Sequence, residues 1–331
     1  MPEGHIVGLA LGGALRAAVF DAERERQLAV AGTVVDCGEP GALGAALPDV
    51  DVLVTGWGLP RLEPRLLDTA PRLKLVAHVG AAIRPFVTEA VFARGIRVTQ
   101  AGAGMARPVA EVALAMTLAL LHRMHRHDHA MRALRRWPVV GAVVDHHELH
   151  GATVGVVGAS RTGRAYLDMV RLLGAHVLLT DPYVTPAQAK AIGAELLALP
   201  DLLSRARIVC LHAPATPATH HLLGAAELRL LPDGAGLVNT ARSWLVDQDA
   251  LLGELQSGRI DAALDVYDQE PLPADHPYRM LPNVLLNPHS AAATVEGRLR
   301  QGRILASEIT RFVAGEPLEH ELRAADLERL A

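Results

Sequence analysis

The sequence predicts an α/β protein built from two Rossmann-like or flavodoxin-like, doubly wound domains with a cleft between them. Short runs of aliphatic and β-branched residues alternate with segments of helical periodicity along most of the chain, which is typical of parallel sheets with crossover helices. A glycine-containing turn at residues 158–163 separates one such run from a helical segment, as in dinucleotide-binding sites. The length of 331 residues favours two domains.

Composition restricts the classes of protein to consider. Half of the residues are hydrophobic and 21% are charged, so the chain has enough apolar side chains for a core. The formal net charge of -4 gives no electrostatic support for binding nucleic acid or an anionic membrane. The apolar run at residues 112–121 is shorter than a membrane span. The two cysteines, Cys37 and Cys210, lie far apart and favour a reducing compartment, so we expect a cytoplasmic protein.

The first hundred residues are expected to form one α/β unit. Residues 5–10 are expected to form its first strand, because this apolar stretch follows Glu3 and lacks the basic start of a signal peptide. Further strands are predicted at residues 33–35, 51–54 and 74–77. A long helix is predicted after residue 104, with Pro108 in its first turn and Glu111 near its positive N-terminal end.

A second wound unit is predicted from residue 153 onward. Its strands are expected at residues 153–157, 176–180, 208–211, 235–239, 262–265 and 283–286. Helical patterns cover residues 164–173 and 291–313, and the second of these helices is expected to return the chain to the first domain. The predicted domains are therefore a discontinuous domain of residues 1–101 plus 291–331 and a second, Rossmann-like domain of residues 102–290.

The turn at residues 158–163 has the position of a Rossmann phosphate-binding turn, directly after a strand and before a helix. Ser160 replaces the middle glycine of the usual pattern, so it must either crowd a pyrophosphate or donate its hydroxyl to it. Asp181, about eighteen residues beyond Gly163, has the position and charge of a carboxylate that binds the adenosine ribose. A purely structural turn is the alternative, because Asp181-Pro182 also favours a turn.

The same residues favour NAD (NADH) over NADP. Asp181 would repel a 2′-phosphate, and neither Pro182 nor Tyr183 supplies a cation to bind one. Arg161 is close enough in sequence to reach a cofactor phosphate.

Several motifs make the chain resemble the D-isomer-specific 2-hydroxyacid dehydrogenase family over nearly its whole length. They are Val109-Ala110-Glu111, the turn through Asp181-Pro182-Tyr183, Leu211-His212-Ala213-Pro214 with Thr216-Pro217, Asn239-Thr240-Ala241-Arg242, Leu264-Asp265-Val266-Tyr267 with Glu270-Pro271, and Asn287-Pro288-His289. The resemblance implies hydride transfer between nicotinamide and a small 2-hydroxy or 2-oxo acid. It also implies that residues 102–290 form the NAD-binding Rossmann domain and that residues 1–101 plus 291–331 form the substrate-binding domain.

The resemblance also implies that Arg242, Glu270 and His289 are the catalytic residues. Oxidation of a secondary alcohol requires removal of the hydroxyl proton as hydride leaves the carbon, and histidine exchanges protons near neutral pH. A carboxylate orients the imidazole, and the arginine fork holds the substrate carboxylate and polarises the carbonyl. Taken singly, each residue also fits a surface ion pair or an ordinary loop, but their joint order favours catalysis.

Cofactor contacts are implied at a larger set of residues. Asp265 is expected near the nicotinamide carboxamide, Thr240 and Ala241 against the ring, and residues 212–214 on the adenine side. The whole implied set is Gly158, Ser160, Arg161, Thr162, Gly163, Asp181, Pro182, His212, Ala213, Pro214, Thr219, Thr240, Ala241, Asp265 and His289.

The substrate loop departs from the family pattern, which usually reads Gly-x-Gly-Val-Asp-Asn-x-Asp. Here the loop begins with Gly80 and Ala81, whose backbone amides are expected to bind the substrate together with Arg242. Arg84 stands where an aspartate is typical. It either binds a second anionic group of the substrate or forms a surface or interdomain ion pair. Ser243 replaces a common glycine, so its backbone does not need a left-handed conformation.

A basic run at residues 122–136 contains four histidines, of which His125 and His129 have helical metal-ligand spacing. The family resemblance favours a different interpretation, a homodimer interface through the nucleotide-binding domain with Trp137 near the neighbouring subunit. No metal is expected.

Two alternative functions remain open. One is a dehydrogenase of an unusual anionic donor, such as phosphite or a phosphonate- or phosphate-bearing acid; formate is disfavoured because formate dehydrogenases have glutamine at the position of Glu270. The other is a non-catalytic NAD-sensing protein, against which the presence of all three catalytic residue types argues.

Overall fold

The computed structural model describes residues 4–327 apart from residues 40, 42, 44–45, 134, 136 and 138–144. The chain divides into two compact units. Unit 1 comprises Met1–Met105 and Ala293–Ala331, and unit 2 comprises Ala106–Ala292. The corresponding expected domain was residues 102–290. Unit 2 begins four residues later than this domain and ends two residues later.

The chain forms both sheets from short strands. In chain order they are β1 His5–Ala10, β2 Gly32–Asp36, β3 Val52–Thr55, β4 Leu75–His78, β5 Arg97–Gln100, β6 Thr153–Val157, β7 His176–Thr180, β8 Glu195–Leu196, β9 Ile208–Leu211, β10 Gly236–Asn239, β11 Asp261–Leu264, β12 Val284–Leu286 and β13 Glu321–Leu322. The strands expected from apolar runs overlap the observed ones, whereas β5, β8 and β13 were not predicted.

Helices connect most of these strands. They are α1 Gly13–Val19, α2 Ala22–Ala31, α3 Pro64–Leu67, α4 Glu89–Ala93, α5 Ala106–Leu121, α6 Met124–Arg132, α7 Arg161–Leu172, α8 Pro186–Ala191, α9 Leu199–Arg205, α10 Ala225–Leu230, α11 Gln248–Gln256 and α12 Val295–Val313. The helices expected at residues 164–173 and 291–313 correspond to α7 and α12.

The sheet of unit 1 has six strands in the order β13-β5-β4-β3-β1-β2. Strands β1 to β5 are parallel, and β13 pairs antiparallel with β5. Because β1 lies between β2 and β3, the winding reverses at β1, as expected for a doubly wound sheet.

The sheet of unit 2 has seven parallel strands in the order β12-β11-β10-β9-β6-β7-β8. The winding reverses at β6, which lies between β9 and β7. In open α/β sheets, ligands bind at the carboxyl ends of the strands beside such a reversal. The turn at residues 158–163 follows β6 directly and is therefore at the favoured place.

Apolar side chains cover both faces of the sheet in unit 2. Along β9, Ile208 and Cys210 belong to one buried cluster, and Val209 and Leu211 belong to the cluster on the opposite face. This alternation is the consequence of the two-residue repeat of a strand, and it explains why the parallel strands are apolar throughout.

Helix α5 packs into the core of unit 2 with Ala110, Ala113 and Leu120 fully buried. By length and composition, the stretch Gly102–Leu121 is long and apolar enough to cross a membrane. The sequence had indicated only a shorter apolar run, at residues 112–121. Core helices of globular proteins also meet this criterion.

The prediction that Glu111 lies near the N-terminal end of this helix is wrong. Helix α5 begins at Ala106, so Glu111 lies beyond its first turn. Its carboxylate instead pairs with Arg107 one turn earlier, at 2.5 Å, on an exposed face.

Candidate active site

The turn after β6 requires glycine at two positions. Gly158 has a left-handed backbone (φ +97°), and a Cβ atom there would lie 2.7 Å from the backbone nitrogen of Ala213. A Cβ atom on Gly163 would lie 2.1 Å from the carbonyl oxygen of Gly158. These close backbone approaches leave no room for a side chain at either glycine.

Ser160 caps α7, the helix that follows this turn. Its Oγ accepts a hydrogen bond from the backbone nitrogen of Gly163 at 3.2 Å. The hydroxyl hydrogen remains available for an acceptor outside the turn. Because α7 is twelve residues long and has no acidic residue in its first turn, its positive end favours an anion such as a phosphate. Arg161, the first residue of α7, is exposed, and Thr162 beside it is partly buried.

Asp181 follows β7 and is held beside the turn by backbone amides. Its carboxylate accepts hydrogen bonds from the nitrogen of Ala159 at 2.7 Å and from that of Tyr183 at 2.8 Å. Asp181 therefore stabilises its own turn, as the structural alternative expected, and also places a negative charge beside the phosphate-binding turn. Pro182 and Tyr183 are exposed.

Two buried polar atoms near the same edge of the sheet lack a hydrogen-bond partner among the described residues. They are Nε2 of His212, after β9, and Oγ1 of Thr240, after β10. Burial lowers the pKa of His212 to about 3, so the ring is neutral at pH 7, and it packs 5.1 Å from the ring of Tyr166. Unpartnered buried groups need an explanation, and polar atoms of a bound nucleotide would supply one.

The loop that follows His212 is closed on itself. The hydroxyl of Thr219 donates to the carbonyl of Pro214 at 2.7 Å and accepts from the nitrogen of Thr216 at 2.8 Å. Thr219 therefore shapes the loop at residues 214–219. Ala213, which precedes this loop, is the residue whose backbone nitrogen a Cβ atom on Gly158 would approach to 2.7 Å.

Glu270 and His289 form a close pair. The Glu270 Oε2 atom lies 2.6 Å from Nδ1 of His289, while its Oε1 accepts from the backbone nitrogen of Tyr267 at 3.0 Å. A carboxylate at Nδ1 fixes the tautomer, because that nitrogen then carries the proton. The Nε2 atom of His289 is thus left for exchange of a proton with a ligand. The imidazole side chain is 48% exposed, so a ligand has access to it.

The backbone around Arg242 is fixed by the buried side chain of Asn239. The Asn239 amide donates to the carbonyl of Arg242 at 2.9 Å and accepts from the nitrogen of Ala241 at 3.1 Å. Burial lowers the pKa of Arg242, and the charge of Glu270 opposes this change. Ser243 has no left-handed backbone, in agreement with the loss of the usual glycine.

Asp265 holds the segment that carries His289. Its carboxylate accepts from the backbone nitrogens of Ser290 at 2.9 Å and Ala291 at 3.2 Å and from the amide of Asn287 at 2.6 Å. Burial of Asp265 raises its pKa. The carboxylate is thus used to position the loop at residues 287–291, whereas the sequence indicated only a contact with nicotinamide.

Tyr267 and Asn287 also help to position the loop at residues 287–291, a role that the sequence did not indicate. The Tyr267 hydroxyl lies within hydrogen-bond distance of the carbonyls of Leu264, at 2.8 Å, and Asn287, at 2.9 Å. Both Tyr267 and Asn287 lie in motifs that resemble those of the family, yet the sequence predicts no role for either. A cavity of about 630 Å³ in unit 2 is lined by this tyrosine together with Glu270 and His289.

The substrate loop of unit 1 follows β4. A Cβ atom on Gly80 would lie 2.8 Å from Nε2 of His78 and 3.2 Å from the ring of Trp57, so the loop backbone packs directly on these two side chains. Ala81 is partly buried. Arg84 is exposed and forms no ion pair with any residue that the structure describes.

The histidine-rich run has a structural explanation. His125 is buried, and its Nε2 lies 2.9 Å from a carboxylate oxygen of Asp261, which also pairs with Arg123 and Arg126. Metal ligation by His125 and His129 is therefore disfavoured, because Nε2 of His125 is engaged by Asp261 and its Nδ1, although without a partner among the described residues, is buried. Over the described parts of the chain, no group of three or more potential ligands of the His, Cys, Asp and Glu types is placed to hold a metal ion.

Arg136 and Trp137, at and just after the end of this run, lie in the region where the sequence predicts a dimer interface. Arg136, the last arginine of the run, lies outside the described residues. Trp137 is 82% exposed.

Comparison with known proteins identifies the family. Residues 114–291, most of unit 2, match the family model described as D-isomer specific 2-hydroxyacid dehydrogenase, NAD binding domain. A D-3-phosphoglycerate dehydrogenase from Mycobacterium leprae is 37% identical over 275 residues, which cover 82% of this chain and 51% of that protein. This chain thus spans about half the length of the D-3-phosphoglycerate dehydrogenases that it matches.

Relatives of similar length are also found. A glyoxylate reductase from Aeropyrum pernix is 35% identical over 264 residues, covering 77% of this chain and 78% of that enzyme. The crystal structure of a D-lactate dehydrogenase from Treponema pallidum superposes with a TM-score of 0.78 at 28% identity, covering 96% of this chain and 99% of that one. The predicted α/β fold class with two Rossmann-like domains and the predicted family are confirmed, and the chain belongs to the D-isomer-specific 2-hydroxyacid dehydrogenase family.

Proposed function

We propose that this protein is an NAD-dependent oxidoreductase that transfers a hydride between nicotinamide and a small 2-hydroxy or 2-oxo acid. The observation that carries the proposal is the 2.6 Å contact between Glu270 and Nδ1 of His289, which leaves Nε2 as the acid–base atom. The names of the relatives, D-3-phosphoglycerate dehydrogenase and glyoxylate reductase, support this substrate class.

The cofactor has a suitable site in unit 2. The glycine turn offers backbone space for a pyrophosphate, the N-terminus of α7 favours its charge, and the unpartnered atoms of His212 and Thr240 fit a polar ligand. When bound, nicotinamide supplies the acceptor or donor of the hydride. Asp181 would favour NAD over NADP, because a carboxylate that follows β7 in this fold would repel a 2′-phosphate.

Residues of this chain would exchange a proton with the substrate and bind its carboxylate. In oxidation, Nε2 of His289 removes the proton of the hydroxyl, and in reduction it returns that proton to the oxygen. Glu270 stabilises the protonated ring, since its carboxylate faces Nδ1. Arg242 binds the substrate carboxylate and polarises the reacting carbonyl, and the amides of Gly80 and Ala81 contribute further donors.

A spectrophotometric screen of NADH oxidation tests this proposal. The panel comprises glyoxylate, hydroxypyruvate, pyruvate, bulky 2-oxo acids and phosphonate analogues, and phosphite with NAD is assayed in the reverse direction. We expect turnover with at least one 2-oxo acid. His289→Asn should lower kcat ~100- to 10,000-fold, as for loss of a general acid–base group. NADH binding, followed by fluorescence, should be retained.

The matched control is His176→Gln, an exposed histidine at the start of β7, which should leave kcat unchanged. Binding of NADH without turnover of any panel member would favour the NAD-sensing alternative. Turnover of phosphite alone would favour the alternative of an unusual donor.

Assembly and the roles of the units are part of the same proposal. Unit 2 would bind the cofactor and unit 1 the substrate, in a cytoplasmic homodimer formed through unit 2. The 82% exposure of Trp137 supports a position of this residue near the neighbouring subunit's active site. Light scattering of the wild type and of Trp137→Ala would measure the assembly.

A further inference from the structure

Arg298 is an unusually placed cation in unit 1. It lies in the first turn of α12, and its guanidinium carbon is 4.7 Å from the ring centre of Trp57. The side chain is half-buried, and its Nη1 atom is enclosed without a hydrogen-bond partner among the described residues. Arginine of this kind, stacked on an aromatic face with unused donors, is the usual means of binding a carboxylate or phosphate.

The position of Arg298 is unfavourable unless an anion is bound. A cation in the first turn of a helix opposes the helix dipole, and burial lowers the pKa of Arg298. Among the described residues, no carboxylate forms an ion pair with it. Glu296, the acidic residue of the same turn, is exposed. An anionic ligand would compensate both effects and use the enclosed Nη1 donor.

The surroundings of Arg298 belong to the substrate loop. Trp57, on which it stacks, also packs edge-on against His78 at 6.2 Å between ring centres, and both rings border Gly80. The Nε2 atom of His78 is buried without a partner among the described residues. Burial lowers the pKa of His78 to about 3, so its ring is neutral at pH 7 and the positive charge comes from Arg298.

Gln301, one turn further along α12, connects the helix to the same loop. Its amide donates to the carbonyl of Val79 at 3.0 Å, while its Oε1 is buried and unpartnered within the described part of the chain. Unpartnered atoms of Arg298, His78 and Gln301 therefore all occur on side chains that border residues 79–81 or the tryptophan beside them. Such a concentration of unused polar atoms indicates a site for a polar group, and the preference for an anion comes from Arg298, because Oε1 of Gln301 is itself an acceptor.

We propose that Arg298 is a specificity-determining residue that binds a carboxylate or phosphate group of the substrate other than the one at its reacting end. The enzyme would then prefer doubly anionic 2-oxo acids over monoanionic ones. This inference rests on the proposed function. Arg84, for which the sequence offered such a role as one of two alternatives, is less suitable, because it is exposed and stacks on no aromatic ring of the described residues.

The test compares Arg298→Gln with the wild type on three substrates. Pyruvate carries one anionic group, oxaloacetate adds a distal carboxylate, and phosphohydroxypyruvate adds a phosphate. We expect kcat/KM for the doubly anionic substrate that the wild type prefers to fall ~10- to 100-fold, the effect of losing a charge-assisted hydrogen bond. For pyruvate, the change should stay below about threefold. Trp57→Leu, which removes the stacking surface, should give a smaller loss of the same preference.

The matched control is Arg303→Gln, an exposed arginine of the same helix, which should change neither value. Equal losses on all three substrates, or none, would overturn the inference. A shift of preference in Arg84→Gln but not in Arg298→Gln would also overturn it, in favour of Arg84. Unchanged thermal melting would show that the variants are folded.

A binding measurement separates this inference from the proposed function. Calorimetric titration with D-malate and D-lactate should show weaker binding of D-malate alone in Arg298→Gln. If no 2-oxo acid is turned over but D-malate binding depends on Arg298, the proposed function fails and the anion site stands. If turnover occurs without dependence on the charge of the substrate, the proposed function stands and the assignment of Arg298 fails.

Discussion

Asp181 combines two tasks at the edge of the unit 2 sheet. It accepts hydrogen bonds from Ala159 and Tyr183, and it places a negative charge beside the phosphate turn. The first task is structural, and the second is the proposed basis of the preference between cofactors. A substitution that keeps a short hydrogen-bond acceptor and removes the charge can separate them.

Asp181→Ser is therefore expected to reduce discrimination against NADPH. Removing the carboxylate abolishes its repulsion of the 2′-phosphate, while the serine hydroxyl can still accept from a backbone amide. The ratio of kcat/KM for NADH to that for NADPH should fall at least ~10-fold, the equivalent of about 1.4 kcal/mol. Steady-state kinetics with both cofactors measure this ratio.

Asp168→Ser, on the exposed side of α7, is the matched control and should leave the ratio unchanged. A ratio that stays at the wild-type value in Asp181→Ser would show that another residue selects the cofactor.

The sequence predicts a site residue when its own motif is recognisable. It does not predict a residue whose role depends on contacts that form only in the folded chain. Glu270 and His289 were identified from motif order, and the structure brings them to 2.6 Å. Asn239 was not identified as a positioning residue, because its effect consists of hydrogen bonds to the backbone of Ala241 and Arg242. Arg298 was missed because its stacking partner, Trp57, lies in a distant part of the sequence.

At the scale of elements, the turn between β6 and α7 depends on close backbone packing. Gly163 lies against the Gly158 carbonyl, with no room for a Cβ atom. Gly253 offers a contrast, because it lies inside α11 with nothing within 4 Å of a Cβ atom. The same substitution is thus expected to have opposite effects at these two glycines.

Gly163→Ala should lower the free energy of unfolding by ~1–3 kcal/mol, since the backbone must shift to relieve the contact. It should also weaken NADH binding, because the shift alters the phosphate turn. Gly253→Ala should raise the free energy of unfolding by ~0.5–1 kcal/mol through helix propensity and leave NADH binding unchanged. Urea unfolding and NADH fluorescence measure the two quantities. Destabilisation by both variants to the same extent would contradict this account.

The elements that the sequence predicts are those with a continuous apolar pattern. The inner strands of both sheets have such runs, because they are buried on both faces. Strand β5 was missed because its sequence, Arg97–Gln100, is mixed in polarity. Strand β13 has two residues and exists only through pairing with β5. Helix α12 begins later than expected because Thr294 caps it, accepting from the nitrogen of Gly297.

At the scale of the whole molecule, each unit buries a neutral histidine. In unit 1 it is His78 and in unit 2 it is His212, and burial lowers the pKa of each from 6.5 to about 3. Below pH 6.5 the unfolded chain binds a proton at each of these residues and the folded chain does not. The stability contributed by the neutral rings is therefore fully present above pH 6.5 and is lost progressively as the pH falls toward 3.

The free energy of unfolding should accordingly decrease between pH 6.5 and pH 4, by up to ~1.4 kcal/mol per pH unit for each histidine. Urea denaturation at pH 7, 6 and 5, with secondary structure followed by circular dichroism, gives this slope. His78→Gln and His212→Gln should each reduce the slope, whatever their effect on stability at pH 7, because a proton-binding difference is removed. His176→Gln, which replaces an exposed histidine, should leave the slope unchanged. A slope that neither buried substitution alters would mean that other groups carry the acid sensitivity, and that the burial of these two rings is not the cause.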